Sequence, residues 1–105
     1  DDPRVQSAVG WLKKNYTVEE NPELGMDGLY YYYHTMAKAL KAYGEPVIID
    51  VEDVAHNWYE DISSRLVSLQ HPEGYWVNPV SSRWWEDNKV LVTCYSLLAL
   101  EYGYD

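Results

Sequence analysis

Hydrophobic positions recur along this chain with the period of a helix rather than that of a strand, in four separate blocks. Val5, Ala8, Val9 and Leu12 share one face of a first helix, Pro3 to Tyr16, with Asp2 placed to cap it and Pro3 suited to its first turn. A polar loop from Thr17 to Gly25 contains Asn21-Pro22, and Met26-Asp27-Gly28 leads into a second helix. There Leu29, Tyr32, Tyr33, Met36, Ala37, Leu40 and Tyr43 fall at helical spacing, and Gly44 ahead of Pro46 stops the element. Val47 to Val51 is β-branched, but with no second clear strand to pair with it reads as an extended connection. Asp53 is the expected cap of a third helix, whose buried stripe takes Val54 or Ala55, Trp58, Ile62, Leu66 and Leu69. The loop from His71 to Asp87 carries Pro72, Gly74, Asn78-Pro79, Ser81-Ser82 and Trp84-Trp85, and so many aromatics predict a packed loop. The fourth helix, from about Asn88 to Tyr102, is apolar on nearly every side, which predicts burial on more than one face.

The blocks also repeat. Ala42-Tyr43-Gly44 aligns with Glu101-Tyr102-Gly103 at a shift of 59, and Trp11, Leu12 and Asn15 align with Leu66, Val67 and Gln70 at a shift of 55. The expected fold is therefore all-α, with two helix pairs, 3–44 and 53–103, in a single domain or fragment.

Between the third and fourth helices lies Leu66-x3-Gln70-x3-Gly74-x-Trp76. Pro72 stops the helix, the chain turns at Gly74, and Gln70 stands where it can hydrogen-bond both to helix carbonyls and to the next helix's amides. Trp76 is expected to fold back over the turn, its indole N–H needing one partner. The pattern resembles the glutamine-tryptophan repeat of the squalene and oxidosqualene cyclases, with Arg65 where that repeat usually has an aromatic. Among such proteins the chain is most similar to the bacterial squalene-cyclase-like and prenyltransferase-repeat proteins of unassigned activity. The resemblance implies a segment of an α/α toroid, with the second and fourth helices on the inner wall.

Composition narrows the partners. A net charge of −9 argues against nucleic acid or an anionic membrane surface, and no stretch approaches the roughly 18 apolar residues of a membrane helix. Phe is absent while Tyr (11) and Trp (5) are abundant, so core and cavity walls must be built from rings that carry a polar atom. One cysteine excludes an intrachain disulfide framework and leaves the compartment open, and no signal peptide is visible. Opening on Asp1-Asp2-Pro3, the chain reads as a piece of a longer protein. Two helix pairs cut from a ring expose apolar edges, so the expected partners are the remainder of the parent toroid or a second copy, together with a hydrophobic small molecule.

Three constellations carry candidate chemistry. Asp50-Val51-Glu52-Asp53 resembles the Asp-x-Asp-Asp motif of protonating terpene cyclases, which makes Asp50 and Asp53 the catalytic candidates; the alternative is a solvated acidic connection. Tyr32-Tyr33-His34-Thr35 resembles the Tyr-His-Thr segment of protein prenyltransferase β subunits, where the His binds zinc. His34 and Cys94 are then the metal candidates, with Val92 where an Asp ligand is needed. The resemblance implies no complete active site in this segment and no cofactor. Tyr30, Tyr31, Tyr32, Tyr33, Trp84 and Trp85 are the ligand-binding candidates, by lining a polyprenoid cavity or by stacking on a sugar. For a sugar-cleaving toroid, Glu86 and Asp87 would have to act as carboxylates about 5 to 9 Å apart across a groove.

Overall fold

The computed structural model describes residues 2–103. They form a mostly helical fold of four helices and one two-stranded sheet, in the order α1 (Pro3–Asn15), α2 (Leu29–Tyr43), β1 (Val47–Ile49), β2 (Ala55–Asn57), α3 (Trp58–Leu69) and α4 (Lys89–Tyr102). α2 is the centre, packed against α1, α3 and, over its greatest length, α4.

Local chemistry starts and stops each helix. The Asp2 side chain accepts from the Arg4 amide at 2.8 Å, and Pro3 sits in the first turn of α1. α2 ends at Gly44, whose φ of 90° lies in the left-handed region and whose N–H returns to the Leu40 carbonyl at 3.1 Å. Asn88 caps α4 by accepting from the amides of Val90 and Leu91.

Two expectations need correction, and a third is met in part. Val47–Ile49 does find a partner: Ile48 stands opposite His56 and Ile49 opposite Ala55 in an antiparallel hairpin. The second strand is hard to read because Ala55-His56-Asn57 has no β-branched run, and tertiary packing of Ile48, 1% exposed, selects the pairing instead. Asp53 does not cap α3; it sits in the hairpin turn with φ +64°, and Asn57 caps the helix by accepting from the Glu60 amide at 3.0 Å. α4, expected to be buried on more than one face, does pack against both α2 and α3, but it buries only Val92, Ser96 and Ala99 and leaves Val90, Cys94, Leu97 and Leu98 exposed.

The core is mainly aliphatic, with three tyrosines and two tryptophans among its sixteen described residues. Val9 and Leu12 of α1, Leu29, Tyr30, Tyr33, Met36 and Leu40 of α2, Ile62 and Leu66 of α3, and Val92 and Ala99 of α4 meet there, together with Trp58 and Trp76. The buried tyrosines place their hydroxyls on backbone carbonyls: Tyr32 donates to Thr17 at 2.7 Å and Tyr33 donates to Val18. Trp58 Nε1 reaches the Glu45 carbonyl at 2.9 Å, holding the hairpin to α3.

The turn between α3 and the following loop is tied, though differently from the expectation. Trp76 is buried and its indole N–H donates to the Leu66 carbonyl at 2.8 Å, one of the unpaired carbonyls at the helix end. Gln70 is exposed and donates to the Gly74 carbonyl at 2.7 Å, so it closes its own turn instead of bridging to the next helix.

Candidate ligand-binding site

The start of α2 has no capping side chain of its own, because Gly28 occupies the cap position with φ +64°. The missing acceptor comes from 56 residues away. Glu86 is fully buried, and its carboxylate accepts from the Tyr30 amide at 3.2 Å and from the Tyr31 amide at 2.8 Å. A carboxylate at a helix N-terminus satisfies unpaired amides and meets the positive end of the helix dipole. Asn78 completes the arrangement: its side-chain amide donates to the Met26 carbonyl and to Glu86, and its backbone N–H donates to the Glu86 carbonyl.

This clasp fixes the loop that follows Trp76 across the end of α2. Ser81 donates to Asp27 at 2.6 Å and Arg83 lies 3.3 Å from the same carboxylate; the Ser81 bond first, then Arg83, hold Asp27 below the usual carboxylate range. Within the loop, Arg83–Trp85 forms a single 3-10 turn, and Trp84 and Trp85 both have positive φ, 56° and 61°. Bulky residues seldom adopt this conformation, and here it aims two indoles outward from a pinned backbone. Gly28 makes room for them: a Cβ there would lie 2.7 Å from the Trp84 ring.

The result is an open cleft of about 470 Å³. Trp84 and Trp85 form one wall, Tyr31, Tyr32 and Thr35 of α2 the floor, and Tyr95 of α4 the far side, with Asn21 and Gly28 at the end. Tyr31 meets Tyr95 edge to face at 5.6 Å between ring centres, which joins α2 to α4 beneath the cleft. Behind that pair lies His34, between Tyr31, Tyr95 and Tyr102. Burial, and secondarily Lys38, push its imidazole below the ordinary histidine value, so the ring is neutral at neutral pH and its buried Nδ1 has no hydrogen-bond partner.

The sequence candidates separate cleanly. Tyr31, Tyr32, Trp84 and Trp85 converge on the cleft, whereas Tyr30 and Tyr33 turn into the core and line nothing. Four adjacent tyrosines point all round a helix, so they cannot all share one cavity. Asn21, Gly28, Thr35 and Tyr95 join the site without having been expected there. Glu86 and Asp87 do not straddle a groove: Glu86 is committed to the α2 amides, and Asp87 is exposed. Cys94 is exposed on α4, and among the described residues no group of three or more His, Cys, Asp or Glu side chains is arranged to hold a metal ion.

Asp50 and Asp53 belong to a different neighbourhood. Asp50 accepts from the amides of Glu52 and Val54 and pairs with His56 Nε2 at 2.8 Å; the His56 bond first, and then these amides, hold its carboxyl below the usual carboxylate range. His56 stacks on Tyr16, and the Tyr16 hydroxyl donates to Asp61 at 2.6 Å, tying the hairpin, α1 and α3 together. Burial and the Asp61 carboxylate push the Tyr16 phenol well above its ordinary value, so it stays a donor. Neither aspartate lines the cleft.

The cleft therefore offers π faces and dispersion contact, and among the described residues its lining holds no Asp, Glu, His, Lys or Arg. Burial pushes the Tyr32 phenol above its ordinary value. No described helix is long and apolar enough to cross a membrane. No family model matches this chain, and neither a curated protein nor a solved structure does.

Proposed function

We propose that this chain is a helical-hairpin segment of a squalene-cyclase-like α/α toroid that binds an apolar small molecule in the aromatic cleft and does not itself transform it. The observation that carries the reading is the outward placement of Trp84 and Trp85 by a loop clasped onto α2. Exposing two indoles and holding both in the left-handed region costs stability, and a cleft that contacts a ligand through those rings accounts for the cost. The polyprenoid chain implied by the resemblance is the first ligand to try. The exposed stripe of Val90, Leu97 and Leu98 on α4 supports the segment reading, since it is the edge at which a further helix pair would pack.

The test is a titration of the chain with farnesol, followed by tryptophan fluorescence, on the native sequence and on Trp84→Ala and Trp85→Ala. The expected result is saturable binding that weakens in both variants while far-UV circular dichroism is unchanged. Equal affinity in all three proteins would remove the cleft from the account.

A further inference from the structure

The lining of the cleft is unusual for a hydrocarbon site in one respect: among the described residues it contains no Leu, Ile, Val or Met, although the chain is rich in Leu and Val. A neutral hydrocarbon is served equally by aliphatic walls, whereas an aromatic ring adds a negative π face that attracts positive charge. Five of the eight lining residues are Tyr or Trp, and the remaining three, Asn21, Gly28 and Thr35, are neutral. Among the described residues no Lys or Arg lines the cleft, although Arg83 lies over the Trp84 ring, and the chain as a whole carries −9.

Rings of this molecule already meet cations, the cleft's own Trp84 among them. Arg83 lies over the Trp84 ring at 4.3 Å and Lys89 over Tyr75 at 4.6 Å. Two of the polar groups in the lining are already engaged, the Asn21 amide on the Asp27 carbonyl and the Tyr32 hydroxyl on the Thr17 carbonyl. The rim is also wet: Trp85 is 74% exposed and Tyr31 52% exposed. A half-open aromatic cleft lets a ligand keep part of its charge hydrated while its alkyl groups contact the rings.

We infer that the cleft takes an organic cation, an alkylated ammonium whose positive centre sits against Trp85, Tyr31 and Tyr95. This rests on the binding reading above and specifies the ligand's charge. The ammonium needs no carboxylate partner in the cleft, since the ring faces and the overall negative charge supply the attraction.

The experiment compares choline with its uncharged isostere 3,3-dimethylbutan-1-ol, and both with farnesol, by tryptophan fluorescence on the 105-residue chain. Choline is expected to bind about tenfold or more tightly than the isostere, the sum of two or three cation–π contacts. Trp85→Leu, which keeps an apolar contact but no π face, is expected to weaken choline several-fold and leave the isostere nearly unchanged. Equal affinities for choline and the isostere, or equal loss of both in Trp85→Leu, would overturn the cationic assignment. Binding of farnesol without choline would also overturn it while preserving the apolar cleft, and failure of all three ligands would overturn both readings.

Discussion

α2 buries seven side chains and α4 three, although α4 is the more apolar sequence of the two. The helices lie against each other, so the difference comes from what covers their other faces. α1, α3 and the Glu86 loop surround α2, whereas α4 meets α2 on one side, α3 on another, and solvent on the stripe through Val90, Cys94 and Leu97. Apolarity predicts burial of α4 on more than one face, but the extent of burial follows the number of covered faces. A helix apolar all round is a request for partners, and within this chain the request is half met.

The sharpest way to break this contrast is to cut the same side chain in both helices. Leu40→Ala in α2 is expected to cost about 2–5 kcal/mol, the range for deleting a fully buried leucine, while Leu97→Ala in α4 stays within about 0.5 kcal/mol. Urea unfolding midpoints would measure both, and similar shifts would mean that α4 is covered as well as α2.

The caps offer a smaller contrast. α4 is capped locally by Asn88, and α2 by a buried carboxylate from the far end of the chain. Glu86→Gln removes the charge and turns an amide NH2 toward backbone N–H groups, so about 1–3 kcal/mol is expected, against about 1 kcal/mol for Asn88→Ala. The same substitution should loosen the Trp84–Trp85 loop, read as a change in tryptophan emission that Asn88→Ala does not produce.

How much of this was readable in sequence depended on the range of the interaction. The helix ends at Asp2, Gly44 and Asn88 could be read because a cap acts within one turn, and the return of Trp76 over its turn followed from Pro72 and Gly74 close by. Glu86 could not be placed because its partners are 55 and 56 residues away and no local pattern encodes that pairing. The one available sign was negative: Gly28 at the head of a strong helical stripe leaves a cap unfilled, which asks for an acceptor from elsewhere. The cleft was half legible for the same reason. Trp84 and Trp85 stood out as rings in a loop, but which of four consecutive tyrosines would face them depended on how α2 is rotated, and only packing decides that.

Gln70 gives a still smaller effect. Being exposed and bonded within its own turn, Gln70→Ala is expected to cost at most about 1 kcal/mol in the same urea assay. A larger loss would return Gln70 to the bridging role first expected of it.

The hairpin adds a pH dependence of its own. The Asp50 carboxyl titrates below its ordinary value in the folded state, chiefly because of His56, so its contribution to stability is present above the unfolded carboxylate value and is lost as pH falls through the lower folded value. Asp50→Asn should therefore be less stable near neutral pH and show a flatter loss of stability on acidification below the usual carboxylate value of 3.8. Parallel acid unfolding curves for the two proteins would exclude the Asp50–His56 pair as the cause.

The five tryptophans provide their own controls for the central claim. In a nitrogen-15 NMR titration with farnesol, and again with choline, the indole N–H signals of Trp84 and Trp85 are expected to move and saturate together. Those of Trp58 and Trp76, bonded to the carbonyls of Glu45 and Leu66, should stay in place, as should that of Trp11 on α1. Uniform small shifts in all five signals, or movement confined to Trp11, would contradict a binding cleft built by the clasped loop.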